Sequence, residues 1–164
     1  MFEQILRMFR IGGMISSDLI ILGTIFVISF IYAFSFGRNR TISFIISFYI
    51  ADFLFQNFHF LNRLIFLQGD SLIALNKLII FIVIFLPLNI IIGRYITESG
   101  NARAHIGRTI GYSFAMLILV LIFSYSVVNL TIFYHFSPVI DNLFSDSNMI
   151  FWWDLIPIAI LAIF

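Results

Sequence analysis

The chain has 164 residues, of which 62% are hydrophobic and only 10% are charged, and its formal net charge is +1. Soluble domains average about 25% charged residues, so this chain cannot cover a water-facing surface and is predicted to lie mostly in lipid. The small net charge gives no support for a nucleic-acid partner. The absence of cysteine excludes disulfides, thiolate metal sites and cysteine nucleophiles.

The apolar stretches predict an all-α membrane protein with four transmembrane helices, because about 20 apolar residues cross the hydrocarbon layer as a helix. These helices are placed at about residues 18–36, 41–60, 75–93 and 108–134. Residues 2–11 are predicted to form an interfacial helix, since apolar residues recur there at helical spacing among charged ones. Four helices and their tethers use most of the length, so residues 1–164 are assigned to a single polytopic membrane domain.

Short connections set the arrangement of the first helices. Gly12 and Gly13 are predicted to end the interfacial helix. Asp18 and the serines before it are predicted to cap the first membrane helix. Gly37 and Arg38 open a four-residue turn, and so short a connection makes the first two membrane helices antiparallel neighbours.

The second helix carries the sharpest functional candidates. Its polar residues recur at the spacing of one helical face, and they are Asp52, Gln56, His59 and Arg63. An ionisable residue in a membrane segment usually faces protein or water. This stripe therefore predicts either a polar pathway for protons or ions, or structural hydrogen bonds near the helix end. Asn89, close to the kinking Pro87 in the third helix, is a further candidate for the pathway or for packing between helices.

A ladder of small residues marks the start of the fourth helix. Gly107, Gly111 and Ala115 are spaced by four, a pattern that lets two helix backbones approach closely. The partner is either a helix of the same chain, which we favour, or a helix of a second copy.

The last segment, residues 150–164, is predicted to be an interfacial or re-entrant helix anchored by Trp152 and Trp153. The apolar run after Asp154 would be about 15 Å long as a helix, which is half of the hydrocarbon thickness. A fifth crossing is the alternative.

Basic residues predict the orientation in the membrane. Arg94, Arg103 and Arg108 precede the fourth helix, whereas no Lys or Arg lies between residues 134 and 151. The loop before the fourth helix is therefore predicted to lie in the cytoplasm, and alternation places the Gly37 turn beside it. The protein would then be a multi-pass protein with its N-terminus outside.

No motif for nucleophilic catalysis or phosphate binding is present, and no catalytic residue is assigned. The three histidines lie far apart without metal-ligand spacing, so no metal and no cofactor are predicted. Glu98 and His105 are the one neighbouring acid and imidazole, and they leave a membrane enzyme as a third interpretation.

Several short motifs are distributed over most of the chain. They are Asp18-Leu19-Ile20-Ile21, the turn Gly37-Arg38 followed by TISFIISFYIADF, Arg103 with Ile106-Gly107, Gly111 and Ala115, and Ser137-Pro138 before the closing amphipathic segment. In this combination the chain resembles the colicin V production protein (CvpA-like) family of small bacterial inner-membrane proteins. It departs from the family pattern in three places. The family usually has a second glycine soon after the arginine of the turn, where Asn39 and Arg40 stand in this chain. It often has an acidic residue in place of Ala102, and it tends to have glycine in place of Ala115.

The resemblance implies a four-helix membrane protein associated with export and envelope phenotypes, without an agreed molecular activity. We therefore predict a non-enzymatic scaffold or accessory subunit in export or envelope maintenance. The alternative is a small channel or transporter subunit with a polar pathway along the second helix. The predicted partners are the lipid bilayer and either a second copy or another membrane protein.

Overall fold

A computed structural model describes residues 2–58, 69–97, 106–128, 134 and 136–163, with the backbone alone for residues 2–16, 70, 97, 139, 145, 147 and 148. All regular secondary structure in these residues is helical. Three helices are long and apolar enough to cross a membrane. They lie in Ser17–Gln56, Ser71–Ile96 and Ile106–Val128. The prediction of an all-α protein with membrane-spanning helices is therefore confirmed at this level.

The first helical stretch, Phe2–Gln56, changes direction at Gly37. Gly37 has φ 76° and ψ 178°, a conformation that is essentially restricted to glycine. The rings of Tyr32 and Phe44 have centroids 5.4 Å apart, whereas twelve residues of straight helix would separate them by about 18 Å. The chain therefore doubles back at Gly37, which separates helix α1 (residues 2–36) from helix α2 (residues 38–56).

Helix α1 differs from the sequence prediction at its start. It continues through Gly12 and Gly13 without a break, so the boundary predicted there is wrong. A glycine inside a helix costs about 1 kcal/mol relative to alanine but remains compatible with helical dihedral angles. Asp18 accordingly lies inside α1 and is not a helix cap.

Helices α3 (Asp70–Thr97) and α4 (Ile106–Phe123) also depart from the predicted bounds. Helix α3 begins earlier and ends later than predicted, and Pro87 lies inside it without ending it. Helix α4 continues into a π-helical turn at Ser124–Val128, and Tyr134 lies outside any helix. Polar residues at the ends of a membrane helix thus extend the helix beyond the apolar run that identifies it.

Two shorter helices follow, α5 (Pro138–Ser145) and α6 (Ser147–Ile163). The sequence predicts no helix between residues 134 and 150, where α5 lies. Proline at the first helical position and Asp141 in the first turn both favour a helix start. Helix α6 begins three residues before the predicted bound.

Helix α4 is the centre of the bundle. In its apolar window 61% of the residues are buried, against 11% in the other two candidate spans. One core cluster joins α2, α3 and α4, and includes Ile45, Phe81 and Ala115. A second cluster joins α4 to α1, α5 and α6. The remaining helices therefore surround α4 and leave their outer faces exposed.

Aromatic contacts fix the directions of the helices. Phe81 contacts Phe55 of α2 at 6.2 Å, and Phe85 contacts Phe44 at 5.0 Å, so α2 and α3 are antiparallel. Phe123 of α4 contacts both Phe55 and Phe81, at 6.3 and 3.9 Å, so α4 ends where α2 ends. The bundle therefore has a turn end, with Gly37 and the C-terminus of α3, and a loop end, where α2 and α4 end and α5 lies.

Candidate functional site

The described charges are divided between the two ends of the bundle. The described arginines whose side chains are placed lie at the turn end, and they are Arg38, Arg40, Arg94 and Arg108. The described aspartates whose side chains are placed lie at the loop end, and they are Asp18, Asp52, Asp141, Asp146 and Asp154. Lys77 is an exception, because this basic residue lies near the start of α3 and therefore toward the loop end. Among these placed side chains, the turn end is therefore mainly basic and the loop end mainly acidic.

The candidate site at the loop end centres on Asp52 of α2. Its Oδ2 accepts a hydrogen bond of 2.7 Å from Nε2 of Gln56, one helical turn later. Its Oδ1 is buried and has no hydrogen-bond partner among the described residues. Tyr49, one turn earlier, donates its hydroxyl to the backbone carbonyl of Asp154 in α6. Side chains on two adjacent turns of α2 therefore form hydrogen bonds, one within α2 and the other to α6.

Asp154 adds a second carboxyl group to this site. The Asp52 and Asp154 carboxyl groups are close enough to repel each other electrostatically. A shared proton or a bound cation would relieve the repulsion between the two groups. Within the described ranges no three acidic or histidine side chains form a group that could hold a metal ion.

Only part of the predicted polar stripe can be placed. Asp52 and Gln56 are hydrogen-bonded to each other, while His59 and Arg63 lie outside the described residues. Asn89 does not join the stripe, because its side chain hydrogen-bonds to Tyr32 of α1. Asn89 lies one turn beyond Phe85 toward the turn end, whereas Asp52 lies near the loop end.

A second polar cluster at the loop end was not anticipated from the sequence. Asp18 is fully buried, and its carboxylate accepts hydrogen bonds from the Tyr134 hydroxyl at 2.9 Å and the Ser137 backbone N–H at 2.8 Å. Nearby, the Tyr125 hydroxyl donates to Asp141 at 2.6 Å. These bonds tie α1 to the segment before α5, and α5 to the π-helical turn. Asp18 and its two partners are more than a hundred residues apart in the sequence. No local sequence pattern could therefore have predicted these bonds.

The small-residue ladder is not uniform. Ala115 is fully buried in the core, and Gly111 is half-buried. A Cβ atom added at Gly107 would meet no atom within 4 Å among the described residues. Close packing by the ladder is therefore seen at its C-terminal end, and Gly107 contacts no other described element through this position.

The predicted turn residues lie at the opposite end of the bundle. Gly37 supplies the positive φ that reverses the chain. Arg38 follows it, and its Nε is buried without a hydrogen-bond partner in the described part of the chain. Glu98 and His105, the residues behind the enzyme interpretation, lie outside the described residues.

No protein-family model, no curated protein and no solved structure matches this chain. The interpretation of function therefore depends on the side chains at the two ends of the bundle. The resemblance to the colicin V production family stays a prediction.

Proposed function

We propose that the chain crosses the membrane four times and serves as a scaffold or accessory subunit in export or envelope maintenance. The stretch Ser17–Gln56 holds 40 residues, and the reversal at Gly37 divides it into two arms of about 30 Å each. Each arm matches the hydrocarbon thickness. With α3 and α4, the two arms give four crossings.

The observation that carries the scaffold role is the use of polar side chains at the loop end. The Asp18 carboxylate, the Tyr49 hydroxyl and the Tyr125 hydroxyl each bond to a different helix or segment. In lipid, such interhelical hydrogen bonds join helices and fix their arrangement. The polar groups therefore serve assembly of the bundle, and the exposed outer faces of the helices are left for contact with partners.

The turn end would face the cytoplasm, because arginines near the ends of membrane helices favour that side. The N-terminus would then lie outside, and the bilayer would be a bacterial inner membrane, as the resemblance implies. Helix α6 would enter from the loop end as a re-entrant helix. Its apolar part, Met149–Ile163, is about 22 Å long, and Ile160 and Leu161 pack against the core.

Cysteine accessibility tests the four crossings, and the chain has no native cysteine to interfere. Single cysteines at Asn39 and Asp146 should react with a membrane-impermeant maleimide from opposite sides of intact cells or inverted vesicles. Labelling of both positions from the same side would contradict the proposed topology. A cysteine at fully buried Ile45 is the matched control and should stay unreactive.

Photocrosslinking in native membranes tests the scaffold role. A photoreactive residue at Ile28 or Val83, each more than 60% exposed, should give a discrete adduct with another membrane protein or a second copy. Adducts with lipid alone at both positions, and at further exposed sites of α1 and α3, would contradict the role. The same residue at Ile45 should crosslink only within the chain.

A transporter subunit is the second candidate, favoured by one observation. Asp52 has a buried Oδ1 without a partner among the described residues, and it lies near the Asp154 carboxyl. Two neighbouring carboxyl groups of this kind can take up and release a proton or a cation. Proteoliposomes with the intact protein should then show pH-dependent ion flux that Asp52→Asn abolishes. Absence of flux from the intact protein would exclude this candidate.

A further inference from the structure

The turn end contains a cavity that neither the scaffold role nor the transport role uses. Its volume is 260 Å³, and it lies between the start of α2 and the C-terminal part of α3. The described residues that line it are Arg40, Ile90, Gly93 and Arg94. Two positive charges from different helices thus converge on one cavity.

The two arginines that line the cavity have exposed side chains. Among the described residues, which leave out Glu98, no acidic side chain forms an ion pair with either of them. Arg38, on the same turn as Arg40, has a buried Nε that lacks a partner in the same part of the chain. The described aspartates lie at the far end of the bundle and do not neutralise this cluster.

Three helices meet next to the cavity. Tyr32 of α1 hydrogen-bonds to Asn89 of α3 and lies near Arg40 of α2. The chain reversal at Gly37 brings Arg40 to the end of α3, so the site depends on the fold and not on adjacent sequence positions.

The depth of the cavity matches the headgroup layer. The apolar run of α3 ends at Gly93, and Arg94 follows directly. Ile90, one turn earlier, is 57% exposed and lies on the side of the hydrocarbon layer. A ligand here would meet two guanidinium groups at its polar end and an apolar surface below. Guanidinium groups bind phosphate oxygens with charge-assisted hydrogen bonds, often in pairs.

We propose that this cavity binds the phosphate group of an anionic phospholipid, with an acyl chain lying along Ile90. Basic pockets between membrane helices are suited to such headgroups. A free phosphate ion would share the polar contacts but would leave the apolar wall unused, so the structure favours the lipid. The proposal requires the turn end to lie in a headgroup layer, but it requires neither the scaffold role nor transport.

Lipid binding to the full-length protein in detergent, followed by native mass spectrometry, tests the proposal. Phosphatidylglycerol should bind in preference to zwitterionic phosphatidylcholine. Each arginine is expected to contribute about fivefold in affinity, so the double variant Arg40→Gln/Arg94→Gln should bind about 25-fold more weakly. Arg108→Gln, at the same end but outside the cavity, is the matched control and should change affinity less than twofold.

Three outcomes would overturn the proposal. They are an unchanged affinity in the double variant, an equal loss in Arg108→Gln, and displacement of the lipid by inorganic phosphate at equal concentration. The last result would assign the cavity to a soluble phosphate. If the double variant does not fold, Ile90→Trp fills the cavity without changing charge and should also weaken binding, and full binding by that variant would overturn the proposal. The cysteine labelling described above tests the topology separately.

Discussion

The two ends of the bundle are held together in different ways. At the turn end, a single glycine backbone conformation reverses the chain, and the exposed arginines Arg40 and Arg94 form no ion pair within the described residues. At the loop end, buried Asp18 accepts hydrogen bonds from the segment before α5, and the hydroxyl of Tyr49 donates to helix α6. Charged groups thus stabilise the fold at one end and are exposed at the other. The proposed lipid binding and the structural roles can therefore be separated by mutation.

The largest effect is expected from Asp18→Ala. The substitution removes the acceptor for the buried Ser137 N–H and for the Tyr134 hydroxyl. Loss of a charged acceptor that leaves a buried donor unpaired should lower the free energy of unfolding by about 3 kcal/mol. Titration with SDS in mixed micelles measures this change.

The matched control for that experiment is Arg40→Ala at the turn end. An exposed arginine without an ion pair among the described residues should change the free energy of unfolding by less than about 0.5 kcal/mol. If the two substitutions lowered the free energy of unfolding equally, charged groups would contribute to stability at both ends, contrary to the inference.

An intermediate effect is expected from Gly37→Ala. Alanine at φ 76° and ψ 178° is strained, and the cost should be about 2 kcal/mol. The same SDS titration measures it. Gly23→Ala, in the regular part of α1 where a Cβ would meet no atom within 4 Å among the described residues, should instead be neutral or stabilising. A neutral Gly37→Ala would contradict the reversal at this residue.

The smallest effect is expected from Tyr49→Phe. It removes one hydroxyl that donates to the Asp154 carbonyl and should cost about 1 kcal/mol. Loss of this bond should also increase the hydrogen exchange of α6 amides in the region of Asp154. Tyr95→Phe, at a position that is 78% exposed, is the control and should change neither quantity. Unaltered exchange in Tyr49→Phe would show that the bond does not anchor α6.

Apolar composition was sufficient to predict the long helices and the membrane environment, because period and length are local properties. The boundaries were predicted less well. Gly12 and Gly13 do not interrupt α1, and polar residues extend α3 beyond both predicted ends. Local propensity is a weak guide at such positions, because a helix already formed on one side lowers the cost of the next turn.

The candidate sites depend on contacts that sequence spacing does not contain. The helical face of Asp52 and Gln56 followed from their spacing, but the approach of Asp154 on α6 did not. Asp18 was predicted to be a helix cap, but its hydrogen-bond partners lie in the segment between α4 and α5. The convergence of Arg40 and Arg94 on one cavity likewise required the chain reversal.

The phenylalanine contacts of the core have a thermal consequence. The rings of Phe48, Phe81, Phe85 and Phe123 contact one another across α2, α3 and α4, with centroids between 3.9 and 6.0 Å apart. Between helices already in lipid, association depends on such packing and not on expelling water. The hydrophobic contribution that weakens when a water-soluble core is cooled is therefore absent between these helices, and cooling should not loosen the aromatic core.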